Sequence, residues 1–326
     1  MSPERLITRA WQCVLVVLAA ATLAFILLHL TPGDPAAALG EGVPAAVRAR
    51  MRTLYGLDQP LGRQYTDWIA ALLRGDLGWS IQQQRPVTKV LGEALLNSLL
   101  LGVPAFIVSV VLGVAIGTWQ ALHSGSLGDR SVSSILLLVY SLPEFWLALL
   151  LMLLFARTWH LLPASGATDE MHSYMSLAGQ LKDRLRHLIL PLSTVSLIGI
   201  ATFARFQRDS MREVWQQPFV RTGIAAGLTR TRLVRSAVRS AVLPVITLAG
   251  VLLPSYFAGL IFVETVFSWP GLGYVLMRAI AARDYAVVAA SVVLGSALTA
   301  VGAWAAEWLR GLLDPRLRSL TSHGQA

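Results

Sequence analysis

Six blocks of apolar residues dominate the chain: Cys13–Leu30, Leu99–Trp119, Val132–Ala156, Leu188–Ala204, Ala241–Val263 and Ala286–Ala306. Each approaches the roughly 20 residues needed to cross a hydrocarbon core. Lipid offers no partner for an open backbone N–H or C=O, so each block is expected to be helical. The pattern predicts an all-α polytopic membrane protein with six transmembrane helices. The fourth block is the shortest and carries Ser193, Thr194, Ser196 and Thr202. A helix so polar is expected to pack inside a bundle rather than face lipid. In the second block Gly113 and Gly117, four residues apart, give another helix room to approach closely. Boundaries follow as a tail and first span over 1–30, an extracytoplasmic subdomain over 31–94, a membrane core over 95–315 and a tail over 316–326.

The polar stretches divide into one long segment and several short ones. Thr31–Glu93 contains two helical-looking pieces, Ala45–Tyr55 and Pro60–Arg74. They are separated and followed by the turn-like runs Gly56-Leu57-Asp58-Gln59-Pro60 and Gly75-Asp76-Leu77-Gly78. Composition allows an ordered lid or docking platform here, and equally a passive cap. Segment 205–240 is the more informative. Pro218 is expected to end one helix, and Gly223 and Gly227 to bracket a short helical turn. Arg232, Arg235 and Arg239, spaced three and four apart, fall on one helical face. Pro244 stands at the inner end of the fifth span, where neighbours can satisfy the carbonyl it frees. Two readings of this segment stay open: an amphipathic helix on anionic headgroups, or a rigid knob docking on a soluble partner.

Composition supports the membrane reading. The chain is 55% hydrophobic and 14% charged, where soluble domains carry about 25% charged residues. Net charge is +9, from 27 Lys+Arg against 18 acids, and nucleic-acid binding is not needed to explain it. With the amino terminus inside, inner and outer basic counts are nearly equal. The outer count, however, is dominated by the long Thr31–Glu93 segment, and long segments translocate largely regardless of charge. Segment 205–240 alone carries eight arginines, which favours cytoplasmic amino and carboxyl termini and a cytoplasmic 205–240. Arg5 and Arg9 with Ala36–Ala38 loosely suggest a signal peptide, but the apolar stretch is too long and Pro32 and Pro35 intervene. The first block is therefore read as an uncleaved span. Cys13 is the sole cysteine, which rules out an intrachain disulfide.

The order of short motifs resembles the permease subunits of bacterial ATP-binding-cassette importers. More narrowly, it resembles the dipeptide/oligopeptide/nickel permease family. Gly223, Gly227 and the arginine helix ending in Leu243-Pro244 are similar to that family's coupling loop. The resemblance extends through Leu30-Thr-Pro-Gly-Asp-Pro35, Tyr55-Gly-Leu-Asp-Gln-Pro60, Arg74-Gly-Asp-Leu-Gly78 and Arg85-Pro-Val87. It continues in Ser141-Leu-Pro-Glu-Phe-Trp146, Leu162-Pro-Ala-Ser-Gly166, Glu264-Thr-Val-Phe-Ser-Trp-Pro-Gly-Leu-Gly273, Arg283-Asp-Tyr285 and Leu313-Asp-Pro-Arg316. The chain departs from the loop's acidic-alanine-alanine position with Arg221-Thr222-Gly223, and has Ile224-Ala225-Ala226 between the glycines. The resemblance implies a transport subunit of the bacterial inner membrane, pairing with a second permease, two cytoplasmic ATPases and an extracytoplasmic binding protein. Its implied cargo is a di- or oligopeptide, with a nickel chelate or glutathione as the alternative. It implies a coupling loop built on Arg221, Thr222, Gly223, Ala225, Gly227 and Pro244. ATP and Mg would bind the partners, since the sequence has no Gly-x-x-x-x-Gly-Lys-Ser/Thr phosphate loop, and this chain is expected to hold no cofactor, metal or catalytic residue.

Individual residues sharpen the picture. Glu144 is the one acid placed inside a span, where acids commonly face a cavity or partner; bonding to backbone freed near Pro143 is the competing role. Glu264, Trp269 and Pro270 follow the fifth span, either as an outer gate or as an interfacial anchor, and the resemblance favours the gate. Trp11, Trp119 and Trp304 are expected as belt residues. His29 is expected at the interface, and the other histidines show no ligand spacing. An intramembrane enzyme would need clustered catalytic groups. A secondary transporter commonly shows inverted repeats with midplane ionisable residues. Neither pattern is present.

Overall fold

The computed structural model describes residues 3–30, 46 and 58–313. The helical piece expected at Ala45–Tyr55, the motif after Leu30, and the tail motif after Leu313 lie outside the described residues. The elements are α1 (Pro3–Leu30), α2 (Leu61–Leu73), a hairpin of β1 (Trp79–Ser80) and β2 (Arg85–Pro86), and α3 (Val87–Leu122). There follow α4 (Leu127–Ser141), α5 (Glu144–Leu151) continuing as a π turn over Met152–Thr158, and α6 (Leu177–Trp215). The chain closes with α7 (Pro218–Ala225), α8 (Arg230–Val266), α9 (Leu272–Ala281) and α10 (Tyr285–Leu313). α1, α3, α6, α8 and α10 are long and apolar enough to cross a membrane.

The third apolar block is not the single straight span its composition suggested. Pro143 lacks an N–H, and its ring pushes Leu142 out of the helical region to φ −82°, ψ 136°. α4 and α5 therefore meet at a 110° bend. Several helices also overrun their apolar blocks, because polar turns at the ends pack on neighbours instead of stopping at the lipid boundary.

The chain forms two compact units, one of residues 100–269 with those from 301 onward, the other of residues 2–99 with 270–300. In the first unit α6 is the central helix. Of its apolar window 61% is buried, against 11–33% for the other long spans, so its serines and threonines sit inside as expected. Ser196 donates to Ala105 O at 3.3 Å and Thr194 to Leu190 O at 3.0 Å. The helix that approaches Gly113 and Gly117 is α6. A Cβ on Gly113 would stand 2.5 Å from Phe203 Cβ, and one on Gly117 would meet Ala204 O, and Gln207 Cβ at 2.8 Å. Three polar contacts fix the start of α6. Asp183 takes His172 Nδ1 at 2.7 Å and His187 Nδ1 at 3.0 Å, and Arg186 donates to Leu161 O at 3.1 Å.

In the second unit Val87, Leu91, Ala279, Val287, Val288 and Ala290 form the core. Phe25 of α1 packs on Trp68 and Tyr65 of α2, with centroids 5.7 and 5.3 Å apart. His29 lies on Phe25 and bonds Gln64. Gly75 and Gly78 take φ of +79° and +81°, the turn expected there. The hairpin after it was not foreseen. Asp284 holds it, accepting from Ser80 Oγ at 2.6 Å and Gln82 N at 3.1 Å.

Candidate functional site

The loop between α6 and α8 is built from a proline, two glycines and a buried aliphatic patch. α6 ends at Trp215, where Gln216 N and Gln217 N bond back to Glu213 O and Val214 O. Pro218 does not end that helix; it begins α7, as its first residue. Its fixed φ suits a first helical turn, and its missing N–H would have had no partner there anyway. Gly223 is likewise not a boundary but lies inside α7, buried. A Cβ there would meet Leu233 Cδ2 at 2.6 Å and Leu228 Cδ1 at 3.2 Å, so glycine lets α7 lie this close to α8 with both leucines in place. Val220, 1% exposed, anchors the same face. Gly227 then reverses the chain at φ +74°, and Leu228 N and Ala226 N bond Gly223 O and Thr222 O at 3.0 and 2.9 Å. This is the helix end that favours a left-handed glycine.

The outward side of α7 and its turn carries Phe219, Arg221, Thr222, Ile224, Ala225 and Leu228, all exposed. Arg232, Arg235 and Arg239 follow, exposed along α8. The structure thus brings together every loop residue singled out from the sequence except Pro244, which lies further along α8. Pro244 leaves Ser240 O without its helical donor; one residue on, Ser210 Oγ donates to Ala241 O at 2.9 Å.

Beneath the loop, Met211, Val214, Ala237 and Ala241 pack with Ala121 and Leu122 at the end of α3. Beside them lies a polar cluster that reading the sequence missed. Asp129, 1% exposed, accepts from Arg208 Nη2 at 2.7 Å and Gly125 N at 3.0 Å. Ser126 caps α4 through Asp129 N, and Arg212 bonds Ser124 and stands 3.8 Å from Asp129. The turn between α3 and α4 is therefore fastened to α6 just before the loop. Arg208 and Arg212, counted from sequence only as loop charge, turn inward. Their four-residue spacing was a signal, but nothing local tied it to Asp129.

Glu144 opens α5 directly after the break and is half-buried. Its carboxylate lies over Gly259 of α8, with Oε2 3.1 Å from where a Cβ would be. Glu264 and Trp269 are not surface anchors: they are 0% and 4% exposed, and Trp269 N donates to Glu264 O at 2.8 Å. Trp269 belongs to the core around Leu101, Ala148 and Leu260. Pro270 is half-buried, and its carbonyl accepts from Asn97 at 3.0 Å.

A polytopic α-helical chain whose central span leads into a short helix pinned by a glycine has the build of a membrane transport subunit. The chain matches the family described as binding-protein-dependent transport system inner membrane component over residues 109–319, and that family's amino-terminal component over residues 4–98. It belongs to that family, and is a multi-pass inner-membrane protein. It is 34% identical over 315 residues to the dipeptide transport system permease protein of Escherichia coli K12, covering 91% of this chain and 93% of the relative. It is 35% identical over 312 residues, with the same coverage, to a di/tripeptide transport system permease of Pseudomonas aeruginosa. To an oligopeptide transport system permease of Bacillus subtilis it is 30% identical over 315 residues, covering 96% and 98%.

Proposed function

We propose that this chain forms one half of the translocation path of an ATP-driven importer of di- and oligopeptides. A second permease chain completes the path, two ATPases holding ATP and Mg dock beneath it, and an extracytoplasmic binding protein delivers cargo. The observation that carries this reading is the seating of α7. Gly223 lets it pack on Leu233 of α8, while Phe219, Arg221, Ile224 and Leu228 face outward as an apolar knob with a basic rim. A surface that only lay on lipid headgroups would not need its helix seated this closely on Leu233 of α8.

The mechanism follows from stiffness. α7 is joined by short turns to α6 and α8, of 39 and 37 residues, each about 55–60 Å long at 1.5 Å per residue. A displacement of α7 by closing ATPases moves both rods as bodies, and switches which end of the path is open. The eight arginines of 205–240 favour a cytoplasmic loop, and with it cytoplasmic termini; Thr31–Glu93 would then face the binding protein. The peptide cargo is supported by the names of the three relatives.

The reading is tested by reconstituting the chain into proteoliposomes with candidate ATPases, the second permease and a peptide-binding protein. Uptake of a labelled dipeptide should require ATP, both ATPases and the binding protein. Uptake that persists without any ATPase would overturn it.

A further inference from the structure

Three acids of the first unit differ in what they touch. Asp129 is engaged by Arg208 at 2.7 Å and by the N–H of Gly125. Asp183 is engaged by His172, His187 and the N–H of Asp169. Glu144 alone of these three has no hydrogen-bond or ion-pair partner among the described residues. Yet it stands where a charge is hardest to leave alone, at the break of a broken span, and acids in such places are retained for a pathway or a partner.

The carboxylate packs over Gly259, where an added methyl would sit 3.1 Å from Oε2, so the acid holds this place because that residue has no side chain. Phe145 and Trp146 follow Glu144 and are 45% and 48% exposed. One turn before Gly259, Tyr256 is already committed, 2.8 Å from Ser109 Oγ and 3.3 Å from Val195 O, and does not serve the carboxylate.

We propose that Glu144 receives the α-ammonium group of the peptide as it passes the bend between α4 and α5. This rests on the peptide-import reading above. Every unmodified peptide carries that cation whatever its side chains, so one carboxylate recognises the class and leaves the sequence unread. It also replaces part of the hydration the ammonium loses at membrane depth.

The test uses the complete reconstituted transporter, with dialanine and N-acetyl-dialanine as probes. Glu144→Gln keeps shape and removes charge; Glu144→Asp keeps charge. A hydrogen bond to a charged group corresponds to about a tenfold effect. Glu144→Gln should therefore lower dialanine uptake roughly tenfold, and collapse the preference for the free amine over the acetylated peptide. Co-purification of all subunits and ATP hydrolysis should be unchanged, and Glu144→Asp should restore much of both uptake and preference. Unchanged dialanine uptake in Glu144→Gln overturns the proposal while leaving peptide import standing. So does lowered uptake with an unchanged preference, which marks a gate, and so does loss of the second permease from the complex, which marks a subunit contact. If the wild-type transporter takes up neither peptide, it is the peptide reading itself that fails.

Discussion

At the scale of single residues, the places where a side chain has no room are the sharpest determinants of this fold. Gly117 is the clearest. Its α-carbon faces backbone of α6, with Arg208 N 2.9 Å from the place of a Cβ, and backbone cannot rotate away as a side-chain end can. Gly117→Ala should destabilise the chain by about 1–3 kcal/mol, seen as a lower unfolding temperature in detergent by tryptophan fluorescence. Gly295 has nothing within 4 Å of that position, so Gly295→Ala should leave the same transition within about 0.5 kcal/mol. Equal effects would contradict the close packing of α3 on α6. Asp129 makes a second case, of charge rather than volume. Asp129→Asn leaves Arg208 facing a neutral amide in a largely dry site, a loss of roughly 1–3 kcal/mol. The same measurement on the double variant Asp129→Asn, Arg208→Gln should show less than the sum of the two single losses, because each single change strands the other partner.

At the scale of elements, what was legible in the sequence is what depends on local chemistry. Apolar length marked six hydrophobic blocks, and Gly75 and Gly78 marked their turn, because each signal needs no distant partner. Pro143 was visible as a residue that frees backbone, but the size of the bend it makes was not, since the bend also depends on what α5 packs against. The loop showed the same limit. Pro218 and Gly223 were both read as breaks, whereas one starts α7 and the other sits inside it. The competing facts are a proline's fitness for a first helical turn and a contact with Leu233, which a one-dimensional reading does not contain. The hairpin at 79–86 was missed for a similar reason, as its anchor, Asp284, is 204 residues from Ser80. The α7 geometry makes its own prediction. Gly223→Leu drives a side chain into Leu233 and should lift α7 off α8, abolishing ATP-dependent uptake. Gly227→Ala meets no atom within 4 Å and strains only a φ of +74°, about 1–2 kcal/mol, so uptake should fall partially. Both proteins should insert in the membrane in normal amounts, measured by quantitative blotting of washed membranes. Full transport by Gly223→Leu would mean that α7 does not couple to anything.

At the scale of the molecule, the open question is whether the bent pair α4–α5 crosses the membrane or turns back, because this fixes the side of everything after it. A 110° bend by itself suits either course. The polar contacts along α6 decide between them. The start of α4 is tied to the far end of α6, through Asp129 and Arg208. The chain just after α5 is tied to the near end, through Leu161 and Arg186. Arg186 and Arg208 are 22 residues apart on one helix, about 33 Å, which matches a hydrocarbon core of about 30 Å. That spacing favours a pair that travels the whole thickness despite its corner, which with the five long helices would make six crossings. Six is even, so on this count both chain ends are expected to share a side, and the arginines of 205–240 favour the cytoplasm. The check uses the single native cysteine to advantage. In a Cys13→Ala background, cysteines are placed singly at the exposed positions Leu73, Leu127, Tyr174 and Ala226. They are then labelled with a membrane-impermeant maleimide in right-side-out and inverted vesicles. Leu73→Cys and Tyr174→Cys should react from outside, Leu127→Cys and Ala226→Cys from inside. If Leu127→Cys and Tyr174→Cys react from the same side, α4–α5 is a re-entrant hairpin and the two chain ends lie across the membrane from each other.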